Sequence, residues 1–312
     1  MAAAVRVVSY NVRYFGHGLR GLASTRRVAK SIASALVALE PRPAIVCLQE
    51  VETISLRSSA LFSGRARGEM QLESFMGELE RVAEAAGHPS TFDAIYFPAH
   101  VYGPARAPVY TTGLAVLVDR TQFTIDVSNR ALPHSITHHH TRALKGAKQT
   151  RICAHLKLRD PAGRALHVFN THLSLPSPFA KGFWTSKGRL GHGSNQLVEA
   201  ETLSRFVHDQ ARGEAFIVCG DFNSAPHSPV YRALTQGAAF VGAQEMLGAV
   251  HPEDPRAFPT AGFMRLRMHL DHLFSSHHVE WLDLEGSRPF GDVESPFHAL
   301  SDHIPLIGRF RL

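Results

Sequence analysis

Residues 216–223 read Phe-Ile-Val-Cys-Gly-Asp-Phe-Asn, and this stretch falls into an apolar half and a polar half. Four consecutive apolar residues are typical of a strand buried on both faces. Asp221 and Asn223 follow directly, at the end of that strand. A carboxylate in this position is costly to bury unless it is paired or bound to a cation. The stretch therefore predicts a buried strand that places polar groups at the edge of a sheet.

The same arrangement, an apolar run beside polar side chains, occurs at five other places in the chain. One such cluster is more often a turn than a site, because Asn, Asp and Ser favour turns. Six clusters together are hard to explain as turns, and their carboxylates, amides and imidazoles suit Mg²⁺ or Mn²⁺ and an anionic substrate. The five further clusters are Asn11 after residues 7–10, Gln49 and Glu50 after 45–48, Asn170 to His172 after 166–169, Asp271 within 270–274, and Ser301 to His303 after 298–300.

Helix-like and strand-like segments are interspersed along the whole chain. Residues 149–158 alternate between apolar and polar, which predicts a strand with one buried face, and a turn at 160–163 predicts its hairpin partner at 164–170. This mixture favours two packed sheets flanked by helices. No long polar linker divides the sequence, so we expect one domain over residues 1–312. The other predicted strands are 5–10, 44–48, 91–97, 113–118, 216–219, 270–275, 279–284 and 304–310, and the predicted helices are 69–86, 228–234, one capped by Ser24 and one capped by Ser194.

Composition excludes some classes of protein. Hydrophobic residues make up 44% of the chain and charged residues 19%, as in a globular protein with a large core. No apolar run approaches the roughly 20 residues needed to cross a bilayer, which excludes an integral membrane protein. No signal-peptide pattern follows Met1, so the expected location is cytoplasmic, with secretion after processing left open. Cys47, Cys153 and Cys219 each lie in an apolar run, which predicts small buried side chains rather than metal ligands.

The balance of charge points to the kind of partner. The formal net charge is +6 with the histidines counted as neutral. A basic protein suits a polyanionic partner, which is nucleic acid or, as the alternative, a peripheral contact with an anionic lipid surface. The sequence does not indicate an oligomeric state.

The polar clusters lie inside six short motifs that run from residue 9 to residue 306. The motifs are Ser-Tyr-Asn-Val-Arg-Tyr-Phe-Gly at 9–16, Leu-Gln-Glu at 48–50, Asn-Thr-His-Leu at 170–173, Gly-Asp-Phe-Asn at 220–223, Leu-Asp-His-Leu at 270–273 and Ser-Asp-His-Ile-Pro-Leu at 301–306. In this order they resemble the signature of the endonuclease/exonuclease/phosphatase superfamily, whose fold is that of deoxyribonuclease I. The resemblance implies a four-layer α/β sandwich of two mixed, mainly antiparallel β-sheets, packed face to face and flanked by helices.

The resemblance also implies a role for each motif residue. The implied metal-binding residues are Asn11, Glu50 and Asp302, with Mg²⁺ or Mn²⁺ as the cofactor. The implied catalytic residues are His172, Asp221, Asn223, Asp271 and His303, of which Asp221 resembles the group that orients or deprotonates the attacking water. The expected substrate-binding residues are Arg13, Asn170, Trp184 and Arg189.

These residues suit the hydrolysis of a phosphate ester, which needs a positioned water, neutralised phosphate oxygens and help for the leaving group. We therefore expect a metal-dependent phosphoester hydrolase, and by preference a phosphodiesterase that acts on nucleic acid. One alternative is a phosphoesterase like the neutral sphingomyelinases, acting on lipids or small molecules. Another is a binding module without activity, although every motif position here holds a chemically competent residue.

The branch within the superfamily is less well defined. Arg13 stands where apurinic-site endonucleases usually have Asp, and His172 stands where those enzymes lack a histidine, so we disfavour that branch. The segment 174–194 follows His172 and contains Trp184 and Arg189 among other aromatic and basic residues. Such a segment suits stacking on bases with phosphate contact, docking on a lipid interface, or packing back on the protein, and the sequence leaves these three open.

Overall fold

The structure is a computed structural model that describes residues 4–16, 26–52, 71–102, 110–138, 150–176, 190–250, 258–263 and 265–312. The helices are α1 (Arg26–Val37), α2 (Gln71–Ala85), α3 (Ser194–Ala211), α4 (Pro229–Arg232) and α5 (Ala243–Met246), with a 3₁₀ turn at Arg13–Phe15 and a π turn at Ala233–Gly237. The strands are β1 (Val5–Asn11), β2 (Ile45–Val51), β3 (Phe92–Tyr102), β4 (Tyr110–Asp119), β5 (Thr124–Ser128), β6 (His134–Ser135), β7 (Ile152–Arg159), β8 (Ala165–His172), β9 (Ala215–Asp221), β10 (Val241–Gly242), β11 (Ala261–Phe263), β12 (Leu266–Met268), β13 (Asp271–Ser275), β14 (Glu280–Asp283) and β15 (Leu306–Arg311).

Two large mixed sheets form the centre of the molecule. The first has the order β14-β15-β1-β2-β4-β3, and the second has the order β10-β13-β9-β8-β7-β5, with β6 paired to β7. Each sheet has one parallel pair at its centre, β1 with β2 and β8 with β9, and all other pairs in it are antiparallel. The predicted sandwich of two mixed, mainly antiparallel sheets is therefore confirmed.

The layers are held together by three apolar clusters. One cluster fills the space between the sheets, where Val7 and Val116 from the first sheet meet Leu156 and Val168 from the second. A second packs α1 and α2 on the outer face of the first sheet. A third packs α3 on the outer face of the second sheet. The order of layers is therefore helix, sheet, sheet, helix.

The central strands are buried on both faces, and this corrects one expectation. Residues 149–158 were expected to have a single buried face, but in β7 both Leu156 of the inner face and His155 of the outer face are buried. The physical reason is that helix residues such as Phe206 of α3 cover the outer face, where His155 and Phe206 make an edge contact. A polar residue in an alternating pattern therefore does not show that its face is exposed to water.

Of three smaller expectations, one is corrected and two are confirmed. Ser194 is the first residue of α3 and not its cap; Gly193 is the cap, and its N–H donates to Gln196 Oε1 at 3.3 Å. The predicted hairpin across 160–163 is confirmed by the pairing of β7 with β8. Cys47, Cys153 and Cys219 are buried free thiols, as predicted. No helix in the described part of the chain is long and apolar enough to span a membrane.

Candidate active site

Strand register brings the polar motif residues to one edge of the sandwich. In the first sheet the parallel pair places Asn11 beside Gln49, next to Glu50. In the second sheet the register places Asp221 between His172 on β8 and Asp271 on β13. Because parallel strands end at the same edge and the antiparallel β13 starts there, these side chains meet at the carboxyl ends of the central strands.

Alternation along the strands directs these side chains into the space between the sheets. Asn11 shares the face of Val7, Asp221 shares the face of Cys219, and Asp271 shares the face of Leu273. Val7, Cys219 and Leu273 all belong to the apolar cluster between the sheets. The site is therefore the polar end of the inter-sheet core, which explains why its carboxylates are buried.

Glu50 reaches this face through a local irregularity. Strict alternation would point it toward the helices, because it would share the face of Val46 and Leu48, which pack under α1 and α2. Gln49 and Val51 pair with consecutive residues of β4, however, so Glu50 is an extra residue in a bulge. Its φ of 57° lies in the left-handed region, which is unfavourable for a residue with a side chain. Asn223 has a φ of 49° as well. Backbone strain of this kind concentrates at functional sites.

Asn11 connects carboxylates from the two sheets. Its Nδ2 donates to Glu50 Oε1 at 3.2 Å and to Asp221 Oδ2 at 3.1 Å. Its Oδ1 accepts the backbone N–H of Arg13 at 3.0 Å. The amide is thus oriented with its donor toward the carboxylates of Glu50 and Asp221. The predicted role of Asn11 in metal binding stays a prediction.

Asp271 and His303 form a hydrogen-bonded pair. His303 Nδ1 lies 2.9 Å from Asp271 Oδ2, and Thr260 donates its hydroxyl to the same oxygen at 2.6 Å. Burial opposes the charged imidazole, but the nearby carboxylates of Asp271 and Asp221 outweigh it and raise the pKa of His303 to about 10. His303 is therefore a charged donor whose Nε2 lies 3.7 Å from Asp221 Oδ2.

Asp221 is the carboxylate that both histidines approach. His172 Nε2 lies 3.5 Å from Asp221 Oδ2. Burial is the main cause that raises the pKa of Asp221, against the opposing charge of His303. Burial, followed by the charges of Arg151 and His303, holds the pKa of His172 well below its usual range. The pocket therefore combines a carboxylate that readily accepts a proton, a charged imidazole and a neutral one.

The described residues have the properties of a cation site. One ligand atom each from Asp221, Asp271 and His303 lies within 4.8 Å of the others. Asp271 Oδ1 is buried and has no hydrogen-bond partner among the described residues, and burial raises the pKa of Glu50. Buried carboxylates at close quarters favour a bound cation, and oxygen ligands suit a hard divalent ion.

The ligand set predicted from the motifs, Asn11, Glu50 and Asp302, shares no residue with the cluster of Asp221, Asp271 and His303. Asn11 and Glu50 are in contact, as described above. Asp302 forms an ion pair with Arg13, so a predicted metal ligand and a predicted phosphate contact lie against each other. Asp302 also accepts a hydrogen bond from Ser301, whose hydroxyl donates to the backbone oxygen of Asn11 at 2.7 Å. The roles of Asp302 in metal binding and of Arg13 in substrate binding stay predictions.

Asn170 has a different position from the one expected of a substrate-binding residue. It is fully buried, and its amide donates to the backbone oxygens of Leu48 and Ala115, each at 3.0 Å. Its Oδ1 accepts from Gln49 Nε2 at 2.8 Å. All these partners belong to the opposite sheet, so Asn170 joins the two sheets. Its predicted role in substrate binding stays a prediction.

Three predicted residues remain, and of these the structure describes Asn223 alone. Asn223 lies beside the pocket, where its N–H donates to Asp221 Oδ1 at 2.9 Å and its Nδ2 donates to Leu173 O at 2.9 Å. Its predicted role at the phosphate stays a prediction. Trp184 and Arg189 lie outside the described residues.

Two residues that the sequence analysis did not single out contribute to the site. Thr260 accepts the backbone N–H groups of Leu270 and Asp271, at 2.9 and 3.0 Å, and donates to the Asp271 carboxylate. Arg151 directly precedes β7, and its charge acts on both Glu50 and His172. An isolated Thr has no motif to mark it, whereas an Arg at the start of a strand beside His172 was a usable signal.

Comparison with known proteins agrees with this geometry. The model of the Endonuclease/Exonuclease/phosphatase family matches residues 8–303. The chain belongs to this family. Its members hydrolyse phosphoesters, and this protein is accordingly a phosphoester hydrolase. No curated protein matches the sequence.

Solved structures of this family have the same fold at low sequence identity. The human Nocturnin catalytic domain with bound sulfate superimposes with a TM-score of 0.62 at 19% identity, over 99% of this chain and 95% of that one. The 2′,3′-cyclic phosphatase ANGEL2 gives 0.65 at 17% identity, over 100% and 96%. A mannosyl-6-phosphatase from Bacteroides thetaiotaomicron gives 0.58 at 16% identity, over 99% and 100%. These similarities show a shared fold among proteins with different substrates.

Proposed function

We propose that this family member is a Mg²⁺- or Mn²⁺-dependent phosphodiesterase that acts on nucleic acid. The observation that supports the proposal best is the arrangement around Asp221, which lies within 3.5–3.7 Å of His172 and His303 and accepts a hydrogen bond from Asn11. A water-activating group, two imidazoles and a second carboxylate, Glu50, thus share one buried pocket. Hydrolysis at phosphorus needs this set of groups.

Each residue has a distinct task in the proposed reaction. Asp221 orients the attacking water and accepts its proton, which suits a carboxylate whose pKa burial has raised. His303, held by Asp271, donates a hydrogen bond to a phosphate oxygen. His172, whose Nε2 approaches the same oxygen of Asp221 as His303, donates to the leaving oxygen. A divalent cation held at Glu50 and the neighbouring Asp302 supplies positive charge against the phosphate oxygens when bound.

Charge around the pocket supports a polyanionic substrate. The net charge of +6 favours nucleic acid. Arg13 and Arg151 supply cations close to the acidic centre: Arg13 pairs with Asp302, and the charge of Arg151 acts on Glu50. ANGEL2, which shares the fold, is a 2′,3′-cyclic phosphatase. A mannosyl-6-phosphatase also shares the fold, so a monoester is tested beside the diesters.

A panel of substrates tests the proposal. Purified protein with Mg²⁺ or Mn²⁺ is incubated with single-stranded DNA, duplex DNA, RNA, sphingomyelin vesicles and a model monoester, each with and without a chelator. We expect metal-dependent cleavage of at least one nucleic acid, with a rate that falls steeply as salt rises. Cleavage of sphingomyelin or of the monoester alone would contradict the proposal and favour a lipid enzyme or a phosphatase.

A matched pair of variants shows whether this pocket performs the reaction. Asp221→Asn removes the proposed base, whereas Glu285→Gln removes a carboxylate that is 72% exposed and remote from the pocket. We expect the first change to abolish cleavage and the second to leave it intact. Equal rates for Asp221→Asn and the unmodified protein would show that the activity arises elsewhere.

A further inference from the structure

A groove between the first two helices lies outside the site described above. It separates α1 from α2 on the outer layer of the first sheet and has a volume of about 640 Å³. We call it the α1–α2 groove. The polar residues that line it are Arg26, Arg27, Lys30, Ser34, Glu78 and Arg81.

The buried carboxylate of Glu78 forms ion pairs with two of the four cationic side chains in the groove. The Glu78 side chain is only 4% exposed, and its Oε1 accepts from Arg26 Nε and, at 2.7 Å, from Arg81 Nη2. Arg81 also donates Nε to the backbone oxygen of Gly77 at 2.9 Å. Both guanidinium groups are about half exposed. Since a guanidinium has five N–H donors, each arginine keeps donors for an anion while Glu78 holds it in place.

The other two cations add charge that no described carboxylate neutralises. Arg27 and Lys30 are exposed on α1, and within the described ranges neither makes an ion pair. Arg159 of β7, by contrast, is paired to Asp126 at 2.7 Å. Four cations against one carboxylate leave the groove with an excess of three positive charges.

The groove is connected to the rim of the active site through α2. Gln71, the first residue of α2, donates Nε2 to Tyr14 O at 2.8 Å and accepts the N–H of Glu52 at 2.9 Å. Tyr14 and Glu52 follow Asn11 and Glu50 closely in sequence. Seven residues separate Gln71 from Glu78, which is a helical rise of about 10 Å. The groove therefore begins within a few nucleotides' length of the pocket.

We propose that the α1–α2 groove binds the phosphodiester backbone of the nucleic acid substrate, away from the scissile phosphate. This inference rests on the proposed function, which makes nucleic acid the substrate. A fixed pair of guanidinium groups suits bidentate contact with phosphate, and the ammonium group of Lys30 adds a point charge. An excess of positive charge in a groove also raises the local concentration of a polyanion.

Paired glutamine variants test the groove. Arg27→Gln/Lys30→Gln removes the two cations without an acidic partner and leaves the buried Glu78 with both of its arginines. Arg205→Gln/Arg232→Gln removes two exposed arginines from α3 and α4, on the opposite layer, and is the matched control for net charge. The equilibrium constant Kd for a fluorescent single-stranded 20-mer is measured by anisotropy at several salt concentrations, in chelator so that no cleavage occurs.

The groove variant should bind about tenfold more weakly, and the slope of log Kd against log salt should fall by about 1.4, for two phosphate contacts. The control should change Kd by less than about twofold. If the two variants have the same Kd and the same salt slope, the groove does not bind nucleic acid and the proposal is wrong. The proposal is also wrong if the groove variant keeps its affinity for the oligonucleotide but loses binding to phosphatidylserine vesicles.

The proposed function is judged separately, by cleavage of single-stranded DNA, duplex DNA or RNA by the unmodified protein with Mg²⁺ or Mn²⁺. If that cleavage is absent while the groove variant still loses affinity, the proposed function fails and the groove stands as a binding surface for nucleic acid. If cleavage occurs and the groove variant binds like the control, the proposal for the groove is wrong and the proposed function stands.

Discussion

His303 Nδ1 lies 2.9 Å from Asp271 Oδ2, and both side chains are almost fully buried. Because the ring is held at Nδ1, its other nitrogen, Nε2, is directed toward Asp221, 3.7 Å away. The carboxylate thereby sets both the orientation of the imidazole and its positive charge. A histidine held in this way acts as a fixed donor in the pocket, and its contribution is measurable.

His303→Ala should lower kcat by roughly 10²- to 10⁴-fold, since it removes a positioned donor from the reaction. The fold should persist, which the melting temperature and circular dichroism would show. Asp271→Asn should lower kcat to a smaller extent, because an amide still accepts a hydrogen bond but lacks the charge. A His303→Ala enzyme with a rate close to that of the unmodified protein would remove this histidine from the mechanism.

Thr260→Val tests whether the hydroxyl behind Asp271 positions the dyad. The change leaves the N–H groups of Leu270 and Asp271 without their acceptor, at a cost of about 1–3 kcal/mol in the free energy of unfolding. It should also lower kcat about tenfold with little change in KM, and it should shift the pH profile of kcat. Thr260→Ser should restore both quantities. A failure of serine to rescue kcat would show that the hydroxyl has no role in catalysis.

Asn170→Leu tests the structural role of the buried amide. The change removes three hydrogen bonds between the sheets and leaves the backbone oxygens of Leu48 and Ala115 without these donors. We expect a loss of about 2–4 kcal/mol in the free energy of unfolding, measured in urea. The KM for substrate should stay unchanged in the folded fraction. A raised KM with normal stability would instead restore Asn170 as a substrate contact.

Glu50→Gln tests the cation site without measuring activity. In the unmodified protein, Mg²⁺ or Mn²⁺ at about 100 times its Kd should stabilise the fold by about 2.7 kcal/mol, seen as a higher melting temperature. The variant should lose this increase. Without metal it should be at least as stable as the unmodified protein, because burial raises the pKa of Glu50 and so disfavours its charged form. A metal-dependent increase of equal size in both proteins would place the cation away from Glu50.

The buried pair His155 and His167 predicts a pH dependence of stability. Burial, with the charges of His167 and Lys157, lowers the pKa of His155 to about 3, below its usual value of 6.5. The unfolded chain therefore binds more protons, and stability is lost as the pH falls below about 6.5. The slope for one histidine is about 1.4 kcal/mol per pH unit. His155→Phe, which keeps the stacking on Phe169, should show a shallower loss between pH 6 and pH 4, measured by urea unfolding; equal slopes would contradict this account.

The sequence predicted which strands end at the site, because an apolar run followed by Asn11, Asp221 or His172 is typical of a buried strand that ends in polar side chains. The position of each side chain was harder to foresee. Asn170 and His172 are two residues apart and share a face of β8, yet Asn170 lies about 6.6 Å deeper. Because of this difference in depth, Asn170 makes hydrogen bonds between the sheets whereas His172 lies at the pocket. The motif that contains both residues does not reveal this difference.

The bulge at Glu50 and the pairing of Arg13 with Asp302 show a second limit. Alternation in β2 predicts that Glu50 faces the helices, and only its left-handed backbone turns it inward. Arg13 and Asp302 are far apart in sequence, and each had a separate expected role until the fold placed them in contact. Local patterns predict which strands exist, whereas contacts between distant segments depend on the packed structure.

Asn11 donates to a carboxylate of each sheet, so the groups proposed to perform the chemistry also help to align the two halves of the molecule. For protein design this means that the sandwich and the reaction are not separate modules. If this fold were turned into a binding protein by replacing Asn11 alone, the carboxylates of Glu50 and Asp221 would face each other between the sheets without the hydrogen-bond donor that they share. Glu50 and Asp221 would need neutral replacements at the same time, because repulsion between the two carboxylates would otherwise weaken the contact between the sheets at this edge.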